Sequence, residues 1–202
     1  MDLTRTRTSL HGIAELLLAG PQYAESGTIR LRIVPGGIAT VASPDLRVEG
    51  SELVAESGRR PLAGTYSQLA ASVGVAAQAP DSYHDHADVG ADDRVDVEPA
   101  ALTVLMDALA VGDAALRAFA PQETPVLWPE HLDVAISLDE VNFGVSPGDA
   151  SSAEPYAYVG PWTPRTGDFW NQPFGAAQPL SALGGPDAVA AFFREGARLA
   201  AG

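Results

Sequence analysis

Residues 132–138 read Leu-Asp-Val-Ala-Ile-Ser-Leu, and the interpretation of this stretch decides the fold. Leu132, Val134, Ile136 and Leu138 alternate with Asp133, Ala135 and Ser137, a period of two that an extended strand turns into two faces. The apolar face covers a core, and the polar face, extended back to His131, points away from it. Val141, Phe143 and Val145 repeat the alternation directly afterwards, before Ser146-Pro-Gly-Asp149 makes a turn. Consecutive strands without an intervening helix pair antiparallel.

Towards the C-terminus, residues 155–160 form another strand with Tyr156 and Tyr158 on one face. A Pro- and Gly-rich aromatic stretch follows to Pro179, and Pro186 opens a last helix carrying Val189, Phe192 and Phe193. Towards the N-terminus, Pro99 starts a helix over about 99–109, which Gly112-Asp113 breaks before helix resumes at 114–119. Residues 76–98 hold six aspartates and no periodicity, the mark of an acidic loop excursion. Thr65-Tyr-Ser-Gln68 has capping-box spacing. Short strands are predicted at 46–48 and 52–54, and Pro35-Gly36-Gly37 joins residues 28–34 to 38–42 as a hairpin. A surface helix starts at Thr8 or Ser9, carries Leu10, Ile13, Ala14 and Leu17 on one face, and stops at Gly20-Pro21. Strands and helices fall in blocks, so the expected fold is α+β, a single domain over residues 1–202 with a mainly antiparallel sheet.

Composition excludes several classes of function. The chain has 202 residues, 46% of them hydrophobic, enough for a substantial core. It has no cysteine, hence no disulfide, thiolate metal site or cysteine nucleophile. All 12 basic residues are arginine, which excludes lysine Schiff-base chemistry and a lysine-containing phosphate loop. A net charge of −14 opposes binding to nucleic acid or to an anionic membrane surface. His11 and Glu15 interrupt the short apolar run at 13–19, so it is not read as an export signal. No segment is expected to reach membrane-spanning length. A soluble, cytoplasmic protein is predicted, with cofactor and oligomeric state unspecified by any motif.

The candidate chemistry is concentrated at 128–174, which holds all three tryptophans and eight of the fourteen aromatic residues. His131 and Asp133 would share a strand face, the pairing that orients a general base or metal ligand. They are the catalytic candidates. Glu130, Asn142, Asp149, Tyr156, Tyr158, Trp162, Asp168, Trp170 and Asn171 are the ligand-binding candidates, rings and hydrogen-bonding groups of the kind that wall a pocket. For each there is a plainer role: a solvent-facing His–Asp pair, Asp149 capping its own turn, an aromatic ladder on a sheet. Gly144 within a strand predicts a bulge or a close approach to the backbone. His84 and His86, with nearby aspartates, are a weak metal-binding candidate. No nucleophile elbow, zinc-protease helix, dinucleotide fingerprint or kinase motif occurs.

The segments Trp-Pro-Glu-His-Leu-Asp133, Asn142-Phe-Gly-Val-Ser-Pro-Gly-Asp149, Glu154-Pro-Tyr-Ala-Tyr-Val-Gly-Pro-Trp162 and Asp168-Phe-Trp-Asn-Gln-Pro-Phe-Gly-Ala176 resemble a family of uncharacterised proteins from high-GC bacteria. That family carries Phe where this chain has Leu132 and Tyr where it has Phe143. The resemblance implies a bacterial protein and brings no reaction, cofactor or partner. From the residues, the leading expectation is a small-molecule pocket, enzymatic or not, built by residues 128–174. The alternatives are a protein-interaction surface of exposed rings and a divalent-metal protein.

Overall fold

The computed structural model describes residues 1–84 and 86–202. The fold is α+β with antiparallel strand pairing, as the alternation predicts. The chain forms two compact units: Met1–Asp107 with Leu127–Leu132, and Ala108–Val126 with Asp133–Gly202.

The first unit is organised by one unbroken helical stretch: α1 (Leu3–Gly12), a π-helical segment (Ile13–Ala19) and α2 (Gly20–Ser26). Asp2 caps it by accepting the Arg5 N–H at 3.0 Å, and Gly27 ends it at φ 69°. Both expected boundaries are therefore corrected. The early turns escaped notice because Thr6 and Ser9 are buried by hydrogen bonds rather than by apolar packing. Thr6 Oγ1 accepts from the Glu98 N–H at 3.1 Å, and Ser9 Oγ from the Asp96 N–H at 3.0 Å.

The stop at Gly20-Pro21 fails for a different reason. In the wide register the Gly20 N–H bonds to Glu15 O, so Leu16 O would look to residue 21, a proline with no N–H. The Gln78 N–H supplies that bond from outside, at 3.1 Å. Gly20 is what lets it approach: a Cβ there would lie 1.7 Å from Gln78 O. Nor is this a surface helix, since Leu10, Ile13, Ala14, Leu17 and even Glu15 are fully buried.

The strands of this unit are β1 (Leu31–Val34), β2 (Gly37–Thr40), β3 (Arg47–Glu49), β4 (Glu52–Ala55), β5 (Gly58–Pro61) and β6 (Val126–Trp128), in the order β6–β1–β2–β3–β4–β5, and β1 and β2 lie against the π-helical segment. The hairpin expected around Gly36 is β1–β2, with Val34 opposite Gly37. β5, which reads Gly-Arg-Arg-Pro, and the short β6 lack alternation and were not expected. The capping box is real: Thr65 caps α3 (Tyr66–Ser72) with reciprocal bonds to Gln68 of 3.2 and 3.1 Å. Gln22 is buried with all four amide positions used. Its Nε2 donates to Thr28 O and Arg30 O at 2.8 and 2.9 Å, and its Oε1 accepts the Val41 and Ala42 N–H groups at 2.6 and 2.9 Å.

The described residues of the acidic segment 76–98 form no helix or strand, but the segment is not loose. Gln78, Ala87, Asp96 and Glu98 donate backbone N–H groups to Leu16, Glu15, Ser9 and Thr6, in that order. It is a strap running antiparallel along the helix.

Residues 99–107 of α4 (Pro99–Phe119) belong to the first unit and the rest to the second. The predicted break at Gly112 is absent. Glycine costs a helix about 1 kcal/mol, but here it makes room: a Cβ would meet Val134 Cγ1 at 2.6 Å and Val145 Cβ at 2.7 Å. The unbroken 21-residue helix also corrects the expectation about membrane-length segments. It is long and apolar enough by composition to span a bilayer, although half of its most apolar window is buried within the protein, as in a core helix.

The second unit continues with β7 (Asp133–Leu138), β8 (Val141–Ser146), β9 (Tyr156–Pro161), β10 (Ala176–Pro179), α5 (Leu180–Leu183) and α6 (Pro186–Ala200). The strands pair in sequence order, β7–β8–β9–β10. Val134, Ile136, Phe143, Val145 and Val159 make the buried face, as the alternation predicted. Phe143 meets Phe119 and Phe193 with ring centroids 4.7 and 5.9 Å apart, and Gly196 of α6 sits under Val159. Asp139 and Glu140 close the β7–β8 hairpin at φ 51° and 62°, a two-residue turn of the mirror-image type.

Candidate functional site

The polar face of the second sheet carries a carboxyl–phenol network. Ala135, Gly144 and Tyr158 lie side by side on β7, β8 and β9, and Asp133 is the next residue along the same face of β7. The Tyr158 ring lies across Gly144, where a Cβ would fall 2.5 Å from its hydroxyl oxygen. Thus the glycine marks a close approach, with the ladder unbroken and no bulge. Across that gap the Tyr158 hydroxyl donates to Asp133, whose carboxyl is buried. Burial first, and then the negative charge of Asp133, push the Tyr158 hydroxyl well above its ordinary pKa of 10, so it remains a donor.

Tyr156 repeats the arrangement with Asp149. Asp149 Oδ1 accepts the N–H groups of Ser151 and Ser152 at 2.7 and 2.9 Å, and its Oδ2 accepts the Tyr156 hydroxyl. Asp149 therefore does cap its own turn, and in addition it anchors the ring. The Tyr156 pKa is also raised, again by burial first and then by the bonded carboxylate.

His131 does not join this face. Leu132 adopts φ 52°, in the left-handed region, which ends the extended register before Asp133. β7 therefore begins at Asp133, and His131 lies exposed in the turn ahead of it, with Glu130 half-buried beside it. The premise that period two puts His131 and Asp133 on one face is corrected. Asn142 Oδ1 accepts from Ser137 Oγ at 2.7 Å and from Trp162 Nε1 at 3.2 Å, a group distinct from the carboxyl–phenol pairs. Asn171 is occupied by the backbone, bonding both ways to Ala177 at 2.9 and 3.0 Å. Trp170 stacks edge-on with Phe169 at 4.9 Å, and Asp168 is exposed.

Beside Tyr156 a cleft of about 200 Å³ opens, lined chiefly by Ser151, Ser152, Tyr156, Gln172, Phe174 and Gln178. Its walls are tied down. Gln172 and Gly175 exchange backbone bonds of 2.9 and 3.0 Å, and Asn171 pins the start of β10. Phe174 meets Tyr158 edge-on at 6.4 Å. The serines and glutamines of the lining carried no motif, because turns of Ser, Gln and Pro are ordinary in any sequence.

The other concentration of titratable groups is in the first unit. Glu15, on the π-helical segment, is fully buried; its Oε2 accepts the Ala87 N–H at 2.9 Å, and its Oε1 lies 2.6 Å from His86 Nδ1. His11, four residues earlier, is half-buried, and its Nε2 is buried with no hydrogen-bond partner among the described residues. Burial lowers its pKa, partly offset by the charge of Glu15. Tyr83 stacks against His86 at 5.0 Å, and burial followed by Glu15's charge raises its pKa.

His86, a metal-ligand candidate by sequence, is instead engaged by Glu15, the glutamate that interrupts the apolar run at 13–19. His84 is exposed, and no cluster of three metal-ligating side chains occurs among the described residues. The available signal was a glutamate inside an otherwise apolar helical run, which must find partners if buried. Comparison of the chain with protein-family models, with curated proteins and with solved structures finds no match in any of the three.

Proposed function

We propose that the protein binds a small, neutral, polyhydroxylated ligand of monosaccharide size in the cleft beside Tyr156. The observation that carries this reading is the lining itself: aromatic rings, amides and hydroxyls, with no charged side chain among the described residues. Amides and serine hydroxyls both donate and accept, which matches a polyol; carboxylate or phosphate ligands call for arginine or a helix terminus. Ring faces suit the C–H side of a sugar-like ring. A volume of about 200 Å³ falls below the range of drug-sized sites, which limits the ligand to a single small ring. The net charge of −14 further disfavours anions. The interaction-surface alternative has less support, because Trp162 and Phe174 are the only exposed aromatics at 128–174 and Phe174 lines the cleft.

Saturation-transfer NMR with D-glucose, D-galactose and myo-inositol, and with glucuronate as the anionic counterpart, tests the proposal. At least one neutral polyol should receive saturation that Phe174→Ala abolishes, with near-ultraviolet circular dichroism unchanged. Transfer to no neutral polyol, or stronger transfer to glucuronate, would overturn the proposal.

A further inference from the structure

We infer that His86, oriented by Glu15, is a nucleophile towards small neutral carboxylic esters, at a second site in the first unit. The geometry is that of a base held by a carboxyl. Glu15 Oε2 is fixed by the Ala87 N–H, which leaves Oε1 to face His86 Nδ1 at 2.6 Å. In the neutral ring, a proton on Nδ1 facing the carboxylate leaves the lone pair on Nε2. The Glu15 side chain is 1% exposed and that of His86 37%, so a buried anchor carries an accessible ring. Tyr83 braces that ring from the side.

The anchor depends on the strap and the π-helical segment together. The segment adds a residue to the turn, and the strap supplies both the N–H and the imidazole that a buried glutamate requires. A fully buried carboxyl that engages an accessible imidazole is the orienting half of a nucleophile–base–acid arrangement.

The step balances without a cofactor. The Nε2 lone pair attacks the ester carbonyl carbon; the N–C bond forms, and the C–O bond breaks with its electron pair leaving on the alkoxide or phenoxide. Glu15 offsets the positive charge of the acylated ring through the Nδ1 proton. Water then adds to the acyl carbon and the N–C bond breaks with its pair returning to Nε2; one water proton stays on the released carboxylic acid and the other passes to the departed alkoxide or phenoxide. The exposed Asp81 and Asp88 flank the ring in sequence and the protein is strongly acidic, which favours neutral acyl donors over phosphoryl donors.

The probe is p-nitrophenyl acetate, followed by phenolate release and by mapping of the acetyl group by mass spectrometry. His86→Ala should lower the hydrolysis rate by roughly a hundredfold, the low end of what a positioned side chain contributes. The acetyl group should map to His86. Glu15→Gln keeps an acceptor but removes the charge, so it should lower kcat with little change in KM; if that variant does not fold, His86→Ala and the acetyl map decide alone. Equal rates for His86→Ala and the parent, or acetyl found on His84 or the N-terminal amine instead, would overturn the assignment.

Discussion

Both units bury carboxyl groups, and they stabilise them by opposite means. In the first unit Glu15 projects from a helix whose own backbone is already paired, so its partners come from an irregular strap. In the second unit the buried Asp133 accepts from the Tyr158 hydroxyl on β9, a pair set by strand register, while the exposed Asp149 accepts from Tyr156. A strap holds only while its separate hydrogen bonds hold, and these join residues far apart in sequence. A register holds as a block, because each cross-strand pair positions the next. The first unit should therefore respond to the loss of single polar side chains, and the second to changes of shape on the sheet.

The largest effect is expected from Gln22→Ala in the first unit. It strands two N–H and two C=O groups around a buried site and should cost about 4 kcal/mol in urea unfolding. A loss as small as that of an exposed substitution would remove the contrast between the units. Next comes Gly144→Ala, which drives a methyl into the Tyr158 ring and should cost about 2 kcal/mol. It should also free Tyr158 from Asp133, so an absorbance titration would find its ionisation moved down towards 10. In the parent the raised tyrosines favour folding below that pH, and this contribution is lost as pH rises through their folded values.

A gain of about 1 kcal/mol is expected from Glu140→Gly, since residue 140 sits at φ 62° in the β7–β8 turn, where glycine is unstrained. The smallest effect is a slope. His11 is harder to protonate folded than unfolded, so below its ordinary pKa of 6.5 the unfolded chain binds more protons and stability decreases as the pH is lowered. His11→Gln should flatten that part of a stability–pH profile, and an unchanged slope would assign the acid sensitivity elsewhere.

Much of the second sheet was legible in the sequence. Val134, Ile136, Phe143 and Val145 announce a face because burial on a strand repeats every two residues, and the Gly144 close approach followed from a glycine where a strand should bear a side chain. The His131–Asp133 pairing failed on one dihedral angle: Leu132 in the left-handed region ends the strand, and leucine gives no local sign of that conformation. The N-terminal helix was misjudged at both ends because polar bonds, at Thr6 and Ser9, and a borrowed backbone donor, at Gln78, extended it.

The sequence by itself determined the α+β class and the antiparallel strands of the second unit, through side-chain alternation, and the capped helix at Thr65, through the Thr65–Gln68 spacing, since each depends on neighbours a few residues apart. Only the tertiary structure decided that Glu15 would meet His86, that Tyr158 would reach Asp133 across a glycine, and that Ser151, Gln172 and Phe174 would share a cleft. Those encounters join residues distant along the chain, and their free energy depends on burial and direction, which no local pattern encodes.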